Sequence, residues 1–427
     1  MKRLVISNRL GSQAPIVTWS TISSLTLGGR LYSAQKNENA MSTLELRDFD
    51  VPGAFRRIKS IRTAILDVPL MRPHRVSVST IEKQSVVLVR IVTEDGLEGI
   101  GEGVVPGGPW WSGDTVEAIQ GLVDQYLAPL LLGAEVSSIG YAIQRINRLI
   151  PGAAFAKAAL EMALWDLKGK MLGLPVYELL GGAHRTKLPV TWALEADGPD
   201  VVAKEIREKL NQKIHASFKL KMGGRDPDID VARIAAICQL IPAGVPLAVD
   251  LNGAWDEATS RRLLPALGDA GISMVEQPVP RWDVGALARL RQNASVRIMA
   301  DESLLTVHDA TMLGQNSAAD VFTLKLAKNG GIVAVQRIGA IAEAYGIACY
   351  GGTTIESSIG TAASVHAFCA SSSLTAGTEL FGPLLLADDL VEVPVRYANG
   401  CVHLTHGPGF GVTLDEDKVA IYTRRRG

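Results

Sequence analysis

The chain has 427 residues, 47% apolar and 20% charged, which is enough for two or three domains or for one large barrel with a smaller partner. Its formal net charge is −1, so no overall field favours nucleic acid or an anionic membrane surface. No run of about 18 apolar residues is present to cross a bilayer. The four cysteines, Cys238, Cys349, Cys369 and Cys401, lack CxxC or metal-like spacing and read as reduced, buried thiols of a cytosolic protein.

The first forty residues carry Lys2, Arg3, Arg9, Arg30 and Lys36 against one acid, Glu38, and show no helical or strand period. Such an acid-poor stretch reads as a targeting segment or as an extension ahead of an internal start at Met41. We set residues 1–57 apart as an extension, disordered or a non-native start. From Ile58 the pattern sharpens. IKSIRTAILDVPL and VVLVRIVTEDGLEGIGEG read as strands with a turn at EDG. DTVEAIQGLVDQYLAPLLLG and AAFAKAALEMALWDLKGKMLG read as helices. In the second, Leu160, Ala163, Leu164, Leu167 and Met171 share one face. Residues 58–185 therefore read as a small α+β domain.

After Arg185 the grammar changes. LPVTWAL, SFKLKMG, PLAVDLN, SMVEQPV, RIMADES, VFTLKLA, IACYGGT and AGTELFG are short apolar strands, most of them separated by helical patterns such as DIDVARIAAICQLI. Eight such repeats over residues 186–389 predict a parallel TIM-like barrel. A doubly wound sheet is the alternative, weakened by the lack of GxGxxG after the first strand. The tail, residues 390–427, is strand-like again (VEVPVRYANGCVHL) and is expected to return to the small domain.

The strand ends carry chemistry in series: Asp250 and Asn252, then Glu276, then Asp301 and Glu302, then Lys325, then Glu356. Asp250, Glu276, Asp301 and Lys325 follow one another at intervals of 26, 25 and 24 residues, one per β/α unit, so that a barrel gathers them at one mouth. Three close carboxylates need a counter-charge. A hard divalent ion, Mg²⁺ or Mn²⁺, held by Asp250, Glu276 and Asp301 would supply it.

Lys219 and Lys221 in SFKLKMG lie on one face of the second strand, with Lys325 roughly opposite on the sixth. A lysine near a divalent ion and other ammonium groups has a lowered pKa and can act as a base near neutral pH. Together these groups suit proton transfer next to a carboxylate, with bases on both faces. Taken singly, KLK is more often an exposed edge, and a strand-end acid is usually a helix cap. The even spacing of the whole set is what makes it a site. Trp110 and Trp111 in GGPWW read as an apolar lid, or else as packing of the small domain. His74 in RPH is left without a role.

FKLKMG, VDLNGAW, EQP, ADES, LKLAKNGG and GTTIESSIGTAAS resemble the enolase superfamily, in its muconate-lactonizing branch, over about residues 58–395. That resemblance implies a (β/α)7β barrel with an α+β capping domain built from both chain ends. It also implies a lysine base working beside Mg²⁺ or Mn²⁺ to stabilise an enolate. GEGVVPGGPWWSGDTVE, AFAKAALEMALWD and TELFGPLLL are closest to the bacterial muconate cycloisomerases of that branch. For those the resemblance implies an intramolecular lyase that converts cis,cis-muconate to muconolactone in catechol degradation. By the same resemblance Lys221 protonates the enolate, Lys219 modulates it, Lys325 and Glu356 complete the catalytic set, and Asp250, Glu276 and Asp301 are the metal ligands. Asn252 and Glu302 stand behind the metal, the substrate is a small dicarboxylate, and relatives are homo-oligomers, often octamers. The same frame also serves dipeptide epimerases, N-acylamino acid racemases and o-succinylbenzoate synthases. A non-catalytic metal- or carboxylate-binding barrel is the rival of another class. A metal-dependent hydrolase would want histidines at the strand ends.

Overall fold

A computed structural model describes residues 24–27, 30–33, 56–75, 80–136 and 138–425, and those from 56 onward belong to one compact unit. The expected extension lies almost wholly outside the described residues. Within it, Ser24–Leu27 pairs antiparallel with Arg30–Ser33, the register placing Leu27 opposite Arg30.

The compact unit opens with a three-stranded antiparallel sheet, Ile58–Arg75, Thr80–Thr93 and Glu98–Val104. The EDG turn falls between the second and third strands. Gly96 takes a φ of +87° there, and Thr93 hydrogen-bonds Asp95 at 2.6 Å. Helix Ala154–Leu172 lies across the third strand and ends at Gly173 in the left-handed conformation. Its expected single apolar face is instead burial on nearly every side, because it is packed between this sheet and the segments that follow the sixth parallel strand. Gly99 and Gly101 allow the close approach. A Cβ on Gly101 would lie 2.7 Å from the Ala163 nitrogen and closer still to the Ala159 oxygen.

Two helical features depart from expectation. The stretch read as one helix over 114–133 divides into Val116–Leu122, a π-helical turn Val123–Leu127 and a 3₁₀ turn Ala128–Leu130 containing Pro129. Helix Ile139–Leu149 went unread, although its buried Ile139, Ile143 and Ile146 keep a helical spacing.

All eight expected parallel strands form. They run Trp192–Leu194, Phe218–Lys221, Leu247–Asp250, Met274–Glu276, Arg297–Ala300, Val321–Leu324, Ala348–Gly351 and Leu374–Thr378, each paired in parallel with its neighbours. A helix separates each consecutive pair, and two of them, Leu326–Asn329 and Ile332–Ala344, separate the sixth strand from the seventh, as parallel pairing requires. A parallel bridge from Val190 to Thr378 ties the segment before the first strand to the eighth. The protein is thus α/β, an eight-stranded parallel sheet with separate small antiparallel sheets.

The tail behaves as a return segment. Tyr397–Ala398 and Cys401–His403 pair antiparallel with Lys187–Pro189. Beyond helix Glu416–Tyr422, Thr423 bridges Leu66, and Arg424 binds the Asp67 carboxylate at 2.7 Å. Cys349 and Cys369 are buried and Cys238 and Cys401 half-buried, all four unpaired. Burial pushes the Cys349 thiol up to about 11 and the Cys369 thiol up to about 12. Among the described residues no helix is long and apolar enough to cross a membrane.

Candidate active site

The register of the parallel sheet builds the site. Lys221 lies beside Asp250, and Asp250 beside Glu276, at the ends of three successive strands. Asp301 follows the fifth strand by one residue and Lys325 follows the sixth by one. A cavity of about 470 Å³ opens over these ends, with Lys219, Lys221, Asp250, Asn252, Glu302 and Lys325 in its wall. The size is that of a small-molecule pocket.

Asp250, Glu276 and Asp301 each face an ammonium group. Lys219, buried, donates to Glu276 Oε2 at 2.6 Å, touches Glu379, and lies 3.9 Å from Asp250. Lys221, half-buried, donates to Asp250 Oδ2 at 2.5 Å and to Asn252 Oδ1 at 3.2 Å. Lys325 donates to Asp301 Oδ2 at 2.7 Å. Lys328, fully buried, donates to Asp301 Oδ1 and to its backbone carbonyl, both at 2.6 Å.

These pairs set the protonation. Burial works to lower Lys219, but the charges of Glu276, Glu379 and Asp250 outweigh it and hold the ammonium well above its ordinary value. Lys325 is likewise raised: burial works to lower it, but Asp301, Glu379 and Glu276 together outweigh burial. Among the protein's own groups each of these two lysines faces carboxylates rather than other cations, which accounts for the direction. Burial opposes the charge on Asp250 and Asp301, yet Lys221 and Lys219 hold the first below its usual range, and Lys325 and Lys328 hold down the second. Glu276 goes the other way. Burial, reinforced by Asp250, Glu379 and Asp301, pushes it up to about 8 despite Lys219.

The three expected metal ligands meet this pattern in part. Asp250, Glu276 and Asp301 are buried, offer only oxygen, and stand on neighbouring strands, which suits a hard divalent ion. Glu276 is raised mainly by burial, with Asp250, Glu379 and Asp301 adding, and a cation beside it would favour its charged form. Among the described residues, however, no three His, Cys, Asp or Glu side chains are arranged as a metal-holding group. Here each of the three turns to a lysine instead.

The outer residues divide. Asn252 takes a left-handed φ of 45° and links Lys221 to Glu302, donating to Glu302 Oε1 at 2.9 Å. Trp111 donates its indole N–H to the same oxygen at 3.0 Å, packs edge-on against Phe155, and carries Lys325 Nζ 4.9 Å above its ring. Trp110 lines the same cavity but is 61% exposed, so the two tryptophans are not one packed unit. Burial, with Asp301 and Asp250 adding, pushes Glu302 up to about 7.

Glu356 does not face the cavity. Its carboxylate folds back onto the Thr353 and Thr354 hydroxyls and the Thr354 N–H, 3.0 Å away, while Thr353, Thr354 and Ile355 line the wall in its place. Ile355 holds a φ of +65°, a strained conformation for a β-branched residue. The residue that the strand-end rule should have named is Glu379. It follows the eighth strand by one position, lines the cavity and contacts Lys219. Lys328, one helical turn past Lys325 in LKLAKNGG, was also missed.

With this geometry in hand, comparison with known proteins is informative. Residues 201–418 match the enolase C-terminal domain-like family, and residues 60–181 match the mandelate racemase / muconate lactonizing enzyme N-terminal domain. The chain is 46% identical over 367 residues to muconate cycloisomerase 1 of Rhodococcus opacus, covering 86% of this chain and 98% of that one. The crystal structure of muconate lactonizing enzyme from Pseudomonas fluorescens, complexed with muconolactone, superposes with a TM-score of 0.85 at 43% identity, over 86% of this chain and all of that one. The 2-chloromuconate cycloisomerase structure from Rhodococcus opacus 1CP gives 0.84 at 44% identity, with 86% and 100% coverage.

Proposed function

The chain belongs to the mandelate racemase / muconate lactonizing enzyme family of the enolase superfamily, and from that premise we propose that it is a cycloisomerase converting cis,cis-muconate to muconolactone. The observation that carries the reading is the lysine set. Lys219, Lys221 and Lys325 stand in one cavity wall with the strand-end carboxylates, in a chain nearly half identical to an enzyme of that name.

In the reaction one substrate carboxylate oxygen closes a five-membered ring on a carbon–carbon double bond. The carbon beside the other carboxylate then takes a proton. We assign that proton to Lys221, the half-buried lysine of the pair, whose Nζ faces the cavity between Asp250 and Asn252. Lys219, buried against Glu276 and Glu379, stays charged and sets the field around Lys221. Lys325 serves the other side of the cavity. Asp250, Glu276 and Asp301 would hold Mg²⁺ or Mn²⁺, with Asn252 and Glu302 ordering the surroundings. Bound there, the ion supplies positive charge to the carboxylate whose neighbouring carbon is protonated. Trp111, and Trp110 at the rim, keep water from the reacting carbon.

The Val190–Thr378 bridge supports reading the parallel sheet as a closed (β/α)7β barrel over residues 186–389. The contacts of Thr423 and Arg424 with Leu66 and Asp67 support a capping domain built from residues 58–185 and 390–427. We further propose a homo-oligomer working in the cytoplasm within catechol degradation.

The test is direct. Purified protein with Mn²⁺ should remove the ultraviolet absorbance of cis,cis-muconate and yield muconolactone. Unchanged absorbance together with epimerisation of dipeptides would overturn the substrate assignment.

A further inference from the structure

A second cavity of about 650 Å³ adjoins the catalytic one and shares Trp111, Ser112, Arg281 and Glu302 with it as a common wall. One side comes from helix Ile139–Leu149 and from Pro151, Gly152 and Ala153. The other comes from the starts of helices Val307–Gln315 and Ile332–Ala344. None of the reaction chemistry described above uses this space.

Its charge is unbalanced. Four cations line it, Lys157, Arg281, Lys328 and Arg337, against two carboxylates, Asp114 and Glu302. Lys157 is engaged with the Ile150 carbonyl at 2.6 Å and Lys328 with Asp301. The Arg281 and Arg337 guanidinium groups have no ion pair or hydrogen bond among the described residues; Arg337 acts on the buried Glu161 only through its field. Both arginines are exposed and line the one cavity, and each guanidinium can grip a carboxylate through paired N–H groups. Helix Ala154–Leu172 adds to this, because Ala154 and Phe155 of its first turn line the cavity and its Ala153 cap offers no side-chain acceptor.

We infer that this second cavity is a binding site for a small dicarboxylate, held by Arg281 and Arg337 on the far side of Trp111 from the catalytic lysines. It is a holding site through which the anionic substrate or product passes, and the identity of that anion rests on the cycloisomerase reading. Arg281, in the common wall, is the group that both cavities can reach.

Adipate, a saturated six-carbon dicarboxylate with no double bond to close on, is the probe. Calorimetry with the full chain and Mn²⁺ should give two adipates per chain, and a crystal soaked in adipate should show the second against Arg337. Arg337→Gln, at an exposed position, should weaken the second site about tenfold and leave the constant for adipate as a competitive inhibitor unchanged. Ala334→Trp, which fills the cavity from its helical wall, should abolish the second site. One adipate per chain in the wild type, or a second site of equal affinity in both variants, would overturn the inference. Muconate turnover is read separately. Two adipates without turnover would remove the muconate assignment and leave this site standing, whereas turnover with one adipate would do the reverse.

Discussion

Lys219→Met is the substitution whose consequences the structure defines most closely. Methionine keeps the length and apolar stem but deletes an ammonium that is 2% exposed. That group serves Glu276 at 2.6 Å, Asp250 at 3.9 Å and, in direct contact, Glu379. Leaving buried carboxylates without their partner costs about 3–5 kcal/mol. For the compact unit from residue 56 onward, an unfolding entropy of about 2 cal/mol/K per residue turns such a loss into a fall in Tm of about 4–7 °C. Part of the cost comes from charges that Lys219 no longer balances. Neutralising one of them in Lys219→Met/Glu379→Gln should therefore restore about 1–3 kcal/mol relative to the single variant. The assay is thermal and urea unfolding of wild type, both single variants and the double variant at pH 7. Additive losses, with no recovery in the double variant, would refute the claim that Lys219 balances Glu379. A Tm for Lys219→Met equal to that of wild type would refute its role as a buried counter-charge.

Three further outcomes follow from the same structure. Glu102, buried in the first sheet, accepts hydrogen bonds from Ser357 and Gly360, yet burial pushes it up to about 7. Its folded-state value lies above its unfolded one, so its contribution to stability should decline as pH rises from about 4.5 to about 7 and stay flat above, a total of about 3 kcal/mol. Glu102→Gln should gain on wild type across that window, and a stability difference constant from pH 4.5 to 7 would contradict this. Gly101→Ala drives a methyl group into the backbone of helix Ala154–Leu172 and should cost at least about 1–3 kcal/mol in urea unfolding; a neutral result would mean that helix and sheet separate easily. Trp111→Phe loses the 3.0 Å bond to Glu302 and should lower kcat/KM about 2- to 10-fold with little change in Tm.

Much of this was written in the chain order. The parallel strands were legible because each is a short apolar run closed by a polar residue, and because βαβ geometry fixes the spacing at which those residues return. That rule placed Lys219, Lys221, Asp250 and Lys325 in one wall, and it would have placed Glu379 had the eighth strand end been read for its chemistry. It failed at Glu356 because a loop, unlike a strand, has no alternation to fix its direction, and the Thr353 and Thr354 hydroxyls draw the carboxylate inward. Spacing also says nothing about who neutralises whom. Folding places Lys219 and Lys325 against acids, which strengthens their hold on protons, and no spacing in the sequence shows that pairing. Helix Ala154–Leu172 shows a third limit. Its alanines permit burial on every side, and only the packing of both neighbours reveals that they are used so.

The central claim is that this cavity delivers a proton from Lys221 to the carbon beside a carboxylate. Reaction of cis,cis-muconate in D₂O, followed by NMR of the product, reads that step directly. The wild type should give muconolactone carrying one deuterium on the carbon next to the free carboxylate. Lys221→Ala should cut the rate by about 10²- to 10⁴-fold while its unfolding midpoint stays within a few degrees of wild type. Product formed by Lys221→Ala at the wild-type rate, with the same deuterium in place, would contradict the account.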